Sequence, residues 1–231
     1  MLLSLIMPVY NEGATLGRVL DRLGEVEMPV PWELVIVDDG SSDGATDGID
    51  DSRIPSAQSV RVARNPRNLG KGAALRRGFA LAEGDVIGIQ DADLEYDPGE
   101  IPQLIAPILN GSAEIVFGSR QFGAHSAYSF WYLVGNRMLS LIASALFDRY
   151  ITDAYTCYKF FTRDQYRQMR LTADGFEIEA ELTGGLLHTG ARVFEVPIGY
   201  RARSREEGKK IQARDGVVGI LRLIRVRIRG W

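Results

Sequence analysis

Asp91-Ala92-Asp93 sets two carboxylates one residue apart, directly after the apolar run Asp85–Gln90 (DVIGIQ). At the end of a buried strand such a pair can turn toward a hard divalent cation, which keeps some waters and accepts phosphate oxygens. Glu95 is near enough in sequence to join them. A second acidic cluster, Asp38-Asp39-Gly40-Ser41-Ser42-Asp43, follows the run Leu34–Val37, and Tyr10-Asn11-Glu12 follows the run Leu2–Met7. Asn68-Leu-Gly-Lys-Gly72 opens a helix in the manner of a phosphate cradle. It is not a Walker loop, because the upstream glycine and the Ser/Thr after Lys71 are missing. No G-x-G-x-x-G follows the first run, which sets aside a dinucleotide-binding enzyme. Asp39–Asp50 has acids at the first, fifth and ninth positions of a calcium loop and Gly44 at the sixth. Its twelfth position is Asp rather than Glu and a strand precedes it, which argues against calcium.

The elements that must position these groups alternate. Short continuous apolar runs at Leu2–Met7, Leu34–Val37, Val60–Ala63, Asp85–Gln90 and Ala113–Phe117 read as buried strands, the first ended by Pro8. Between them lie helical patterns over Ala14–Leu23, Lys71–Glu83 and Glu100–Asn110. Alternation of this kind predicts a mainly parallel sheet covered on both faces, an α/β fold in which ligands bind beyond the carboxyl ends of the strands. All three polar clusters then fall on one edge. After residue 120 the pattern loosens into a long helix at Phe130–Phe147, a strand near Cys157–Phe161, a helix through Phe176–Leu187 and a strand at Val193–Val196. Phe130–Phe147 has about the length of a membrane span. It carries Asn136 and Arg137 inside it, so it is expected to be buried or to lie at an interface rather than to cross.

Composition bounds the class. The 231 residues are 45% apolar and 25% charged, close to the average for globular proteins, and the single Cys157 can form no internal bridge. The net charge of −3 hides an asymmetry: residues 201–231 hold ten basic and three acidic residues, leaving the first 200 at −10. A basic end on an acidic body points to an anionic partner. On a helical wheel Val217, Ile220, Leu221, Ile224 and Ile228 share one side, with Arg222, Arg225 and Arg229 beside them and Trp231 at the end. That is the pattern of a helix lying on a membrane surface; a helix packed on the domain with its arginines in water is the alternative. A non-catalytic anion sensor with an RNA-binding tail is the rival from another class. The tail has no aromatics interleaved with its basic residues, which disfavours nucleic acid. No signal peptide is visible: the first seven residues lack a basic start.

Met7-Pro-Val-Tyr-Asn-Glu12, Val35-Ile-Val-Asp-Asp-Gly-Ser-Ser-Asp43, Asn68-Leu-Gly-Lys-Gly72 and Asp91-Ala-Asp-Leu-Glu95 come in the order and spacing of family 2 glycosyltransferases, which the chain resembles. Gly118-Ser119-Arg120, Thr156-Cys-Tyr-Lys159, Phe176-Glu-Ile-Glu-Ala-Glu181 and Glu195-Val-Pro-Ile-Gly-Tyr200 through Glu207-Gly-Lys-Lys210 resemble the branch containing polyprenyl-phosphate hexosyltransferases. The resemblance implies a GT-A fold over residues 1–215, with a nucleotide-sugar half (1–120) and an acceptor half (121–215), followed by the amphipathic segment 216–231. It implies that Pro8, Tyr10, Glu12, Asp38, Asp39, Lys71 and Asp91 hold the nucleotide-sugar. Asp91, Asp93 and Glu95 would bind Mg²⁺ or Mn²⁺, with Asp93, Arg120 and Asp153 in catalytic positions. Arg120, Arg137, Arg203, Lys209 and Lys210 would meet the acceptor phosphate and the donor diphosphate. Cys157 departs from the many relatives that have Gly at this place.

The chemistry is consistent with this. A nucleoside diphosphate leaving an anomeric carbon takes on charge that a metal at Asp91/Asp93 stabilises. A lipid phosphate is already anionic, whereas a hydroxyl acceptor needs a general base, for which Asp153 or Glu177 stands as candidate. His125 and His188 are expected to serve structure. The reading is an inverting, metal-dependent hexose transfer from GDP-mannose or a UDP-sugar to a polyprenyl phosphate at the cytoplasmic face of a membrane. The chain ends without the membrane helices of some relatives, which leaves room for a membrane-embedded partner subunit.

Overall fold

The computed structural model describes residues 1–124, 130–202 and 213–229, with the side chains of residues 131, 213–215 and 229 outside the description. Among the described residues the strands are β1 (Leu3–Val9), β2 (Trp32–Asp38), β3 (Ser59–Arg64), β4 (Val86–Ile89), β5 (Ile115–Ser119), β6 (Lys159–Thr162) and β7 (Val193–Pro197). The helices are α1 (Leu16–Glu25), α2 (Lys71–Leu81), α3 (Ile101–Leu109), α4 (Phe130–Phe147), α5 (Arg163–Arg167), α6 (Ile178–His188) and α7 (Ala213–Arg229). The strands form one sheet in the order β3-β2-β1-β4-β6-β5-β7. All neighbours run parallel except β6, which is antiparallel to both β4 and β5. The expected alternation is therefore present, and the reversal at β6 accounts for the looser pattern beyond residue 120.

Strands buried on both faces need apolar residues at every position, and β2 (WELVIVD) is buried from end to end. One face carries a core of Leu5, Met7, Leu20, Ile36, Ile105 and Phe160; the other carries Ile6, Val35, Phe79, Phe161 and Leu182. Pro8 lies in β1 beyond Ile6↔Ile89, the last pair with β4, so its missing N–H removes no bond from that ladder. On the side of α2 the chain runs close to itself. A Cβ at Gly70 (φ 104°) or at Gly72 would collide with backbone of Ala173 and Asp174, so only glycine lets the start of α2 lie against the segment leading into α6.

Helix α7 packs on α4 and α6, with Leu223 and Val226 against Gly184 of α6 and Gly219 against Tyr155, a face hidden in sequence because arginines are interleaved with it. Arg222 reaches Glu181 (3.1 Å) and Arg227 donates to the Leu146 carbonyl (2.7 Å), so their aliphatic stems cover apolar surface while their heads find partners. Of the wheel's outer side, Val217, Leu221 and Ile228 are exposed, beside Arg225. No described helix is long and apolar enough to cross a membrane, α4 included.

Candidate active site

A cleft of about 240 Å³ opens at the carboxyl ends of β1, β2 and β4. Of the residues expected to hold a nucleotide-sugar, Pro8, Tyr10, Glu12, Asp39, Lys71 and Asp91 line it, joined by Asp93, Glu95 and Arg120. Segments far apart in sequence complete the wall with Tyr132, Tyr155, Cys157, Phe176 and Tyr200.

Asp38 is not among the lining residues. Adjacent residues leaving a strand point to opposite sides, and here Asp38 turns inward while Asp39 turns to the cleft. Asp38 accepts from the Ser41 N–H (2.7 Å) and the Thr46 hydroxyl (2.8 Å). Burial opposes its charge, but these bonds and Arg64 hold its carboxyl below the usual range. It shapes the loop after β2 and offers no surface to a ligand. Asp39 accepts from the N–H groups of Leu69 (3.0 Å) and Gly70 (2.7 Å) and from the Asn65 amide (2.7 Å), tying the start of α2 to the cleft floor. The calcium pattern dissolves in the same way: Asp43 accepts from the backbone N–H of Gly13 (2.8 Å) and Ala45 (3.1 Å).

The Asp91-Ala-Asp93 turn follows β4. Asp93 accepts the Glu95 N–H (3.1 Å), and Leu94 between them is held at φ 62°, a conformation that a branched side chain adopts only when its surroundings impose it. Glu95 accepts a bond from the Tyr200 hydroxyl (3.2 Å). Among the described residues no three acidic, histidine or cysteine side chains gather as a metal cage, so the expected trio of Asp91, Asp93 and Glu95 is not assembled. The two aspartates on the cleft wall nonetheless suit Mg²⁺ or Mn²⁺. Such ions take one or two protein carboxylates and complete their shell with phosphate oxygens and water.

Lys71 Nζ lies 2.9 and 3.0 Å from the two Asp91 oxygens, 3.0 Å from Glu179 Oε1 and 3.2 Å from Cys157 Sγ. Glu179 Oε2 in turn accepts from Lys159 (2.7 Å), a lysine with no exposed surface. Burial alone would favour neutral groups. Against that, Lys159 and Lys71 hold the Glu179 carboxyl at about 2, and Asp91 with the other neighbours holds the Lys71 ammonium well above its ordinary range. Burial and the neighbouring acids push the Cys157 thiol up. Glu179 and Lys159 were not anticipated as functional. The available signal was Lys159 itself, a lysine heading the buried strand KFFT, where only a buried acid can accompany it.

Arg120 lies in a second buried pair. Its Nε and Nη2 each donate to Asp153 at 2.7 Å, its backbone N–H adds a third bond (3.1 Å), and Asn136 a fourth (2.9 Å). Arg120 also lies over the Tyr200 ring, 5.0 Å from its centroid. Burial pushes against ionisation of Asp153, yet Arg120 holds its carboxyl low. Asp153 is buried and its oxygens are taken up by Arg120 and Asn136, outside the lining of the main cleft, so it holds the Arg120 guanidinium in place. Glu177 also stands outside the lining, where it accepts the Gly175 N–H (3.2 Å), and Glu181 binds Thr172, Ala173 and Arg222. Arg137 is exposed on α4, and Arg203, Lys209 and Lys210 lie outside the described residues, as does His125.

The sequence profile of glycosyl transferase family 2 matches residues 4–170, which span the β1, β2 and β4 clusters together with Arg120 and Asp153. The chain belongs to that family. Among similar proteins, the dolichol-phosphate mannosyltransferase of Pyrococcus furiosus is 32% identical over 214 residues, covering 90% of this chain and 59% of its own. The undecaprenyl-phosphate 4-deoxy-4-formamido-L-arabinose transferase of Aeromonas hydrophila is 39% identical over 113 residues, 48% of this chain and 34% of its own. The chain thus spans less than two thirds of the length of these relatives. The fold matches that of glucosyl-3-phosphoglycerate synthase from Mycobacterium tuberculosis, solved with Mn²⁺, UDP and glucosyl-3-phosphoglycerate (TM-score 0.69, 23% identity, 97% of this chain and 79% of that one). The GT-A architecture expected of a family 2 member is therefore present.

Proposed function

We propose that this family 2 domain transfers a hexose from a nucleotide-sugar to a polyprenyl phosphate, with inversion, and uses Mg²⁺ or Mn²⁺. The observation that carries the reading is the lining of the cleft, which brings the carboxylates Asp39, Asp91 and Asp93, at the ends of β2 and β4, into one cavity with the Arg120 guanidinium, at the end of β5. On this reading Asp39 and the adjoining loops receive the nucleoside. Asp91 and Asp93 hold the ion that takes up charge on the departing diphosphate, and Arg120, locked by Asp153, meets an anionic oxygen with a guanidinium that needs no reorganisation. Both carboxylates considered as bases for a hydroxyl acceptor, Asp153 and Glu177, are engaged away from the cleft lining. That favours an acceptor that brings its own negative charge. The relatives named for dolichyl and undecaprenyl phosphates support the same acceptor class.

The exposed apolar residues Met138 and Leu141 of α4 and Val217, Leu221 and Ile228 of α7, with Arg225 beside them, support a membrane-surface location where a lipid acceptor is met, at the cytoplasmic face if the donor is cytoplasmic. A membrane-embedded partner subunit fits the same reading. Thermal unfolding with GDP-mannose, UDP-glucose and UDP-N-acetylglucosamine, each with Mn²⁺ or EDTA, tests the donor side. At 100 times its dissociation constant a ligand stabilises by about 2.7 kcal/mol. A Mn²⁺-dependent shift with one donor, followed by transfer to a polyprenyl phosphate, is expected; transfer only to a hydroxyl acceptor would overturn the acceptor assignment.

A further inference from the structure

The ammonium of Lys71 touches both oxygens of Asp91, one of the two carboxylates placed to hold a cation, so a cation reaching Asp91 competes with it. The destination is already built. Glu179 Oε1 lies 3.0 Å from the same nitrogen as an ion pair, yet it is a buried oxygen that accepts no aligned hydrogen bond. Lys159 fixes the other oxygen of Glu179 at 2.7 Å, so the carboxylate cannot swing away. The start of α2, which carries Lys71, is held in place by Gly70 and Gly72 against the chain entering α6, which carries Glu179. A lysine ion-paired to two acids at once, with aligned hydrogen bonds to only one of them, has two seats on a fixed backbone.

We infer that Lys71 is a movable counter-ion: it neutralises Asp91 in the cation-free cleft and passes to Glu179 when a divalent cation takes Asp91. The inference rests on the metal reading above and adds Glu179 as a positioning residue for it. The ammonium then changes partner without entering water, and the arriving cation takes over its place on Asp91. Apparent cation affinity is lowered by the fraction of molecules in which Lys71 holds Asp91, so the two residues set that affinity jointly.

Mn²⁺ binding to the intact chain, measured by calorimetry and electron paramagnetic resonance with and without UDP or GDP, tests this. Lys71→Met removes the competitor and is expected to tighten Mn²⁺ binding about tenfold. Glu179→Gln removes the second seat and is expected to weaken it by about the same factor. The double variant should match Lys71→Met, since without the lysine the second seat has no occupant. A field effect of charge alone would instead leave the Glu179→Gln loss intact in the Lys71→Met background and overturn the inference. So would Mn²⁺ binding by Lys71→Met no tighter than by the unaltered chain. Should a variant not fold, a crystal structure of the unaltered chain with Mn²⁺ and nucleoside diphosphate decides. Lys71 aligned on Glu179 Oε1 supports the inference, and Lys71 still on both Asp91 oxygens overturns it. No Mn²⁺ binding by the unaltered chain under any of these conditions overturns the metal reading as well, which separates the two failures.

Discussion

The two sides of the molecule that meet at the cleft, here its two walls with the residues behind them, are built by different means. On the β1–β2 side, acids are fixed by backbone N–H groups of nearby loops: Asp38 by Ser41, Asp39 by Leu69 and Gly70, Asp43 by Gly13 and Ala45. On the β5–β6 side, positions are fixed by buried ion pairs between distant side chains, Arg120 with Asp153 and Lys159 with Glu179. A backbone donor is present whatever the side chain, so the first wall depends on one acid at a time. An ion pair fails when either partner is lost, and in a low-dielectric interior the survivor is a stranded charge. The first wall should therefore tolerate substitution better than the second.

The largest effect is expected from Asp153→Ala. It strands the Arg120 guanidinium, which is 6% exposed, and should lower unfolding free energy in urea by about 3–5 kcal/mol. A loss below about 1 kcal/mol would mean that water or another acid replaces Asp153, and the contrast between the walls would lose its basis.

Glu179→Gln comes next, and its signature lies in pH. The carboxyl of Glu179 stands at about 2 against an ordinary 4.5. A group whose folded-state pKa is depressed contributes stability above its unfolded value, and that contribution is lost as pH falls through the folded value. The unaltered protein should thus exceed Glu179→Gln in stability by about 3 kcal/mol near neutrality, with the gap closing between pH 4.5 and pH 2. Urea titrations at several pH values measure this, and a gap that does not depend on pH would refute it.

A smaller and divided effect is expected for the neighbouring aspartates. Asp38→Ala and Asp39→Ala each leave a backbone N–H without its acceptor, at a cost of about 1–3 kcal/mol. Only Asp39→Ala should also weaken the thermal shift given by a nucleoside diphosphate, because only Asp39 lines the cleft. Equal weakening in both would erase the distinction between inward and outward acid.

How much of each wall could be read in advance follows from the same contrast. The strands on the β1–β2 side are continuous apolar runs, and their polar loops follow directly in sequence, so strand, loop and sheet edge were all legible. Which of Asp38 and Asp39 faces the cleft was not, because the two adjacent acids share one turn and only the strand's last residue decides the parity. On the other wall Arg120 and Asp153 were visible as residues of chemical interest, but their pairing was not. Asp153 lies 33 positions from Arg120, and Glu179 lies 20 positions from Lys159, between the base candidate Glu177 and Glu181. Glu181 in fact faces Thr172 and Arg222. Pairs closed by the fold leave no local pattern, and only the unusual presence of a lysine in a buried strand marks one end. The outer helix shows the same limit, since Leu223 and Val226 of α7 became core only because α4 and α6 lie beneath them.

The smallest effect serves as the control for the whole contrast. Arg167 and Asp164 form an ion pair at 3.2 Å on α5, three residues apart, with side chains 68% and 80% exposed. The charges are of the same types as in Arg120–Asp153, so pairing as such predicts a similar cost for breaking either. Solvation predicts otherwise: water already stabilises each exposed charge, and ordering two long side chains offsets much of the Coulomb gain. Arg167→Ala should therefore change unfolding free energy by less than about 0.5 kcal/mol, and added salt should shrink even that. Asp153→Ala should keep its full cost in salt, because the Arg120–Asp153 pair is out of reach of the ionic atmosphere. A large, salt-insensitive loss in Arg167→Ala would mean that pairing rather than burial makes the second wall fragile.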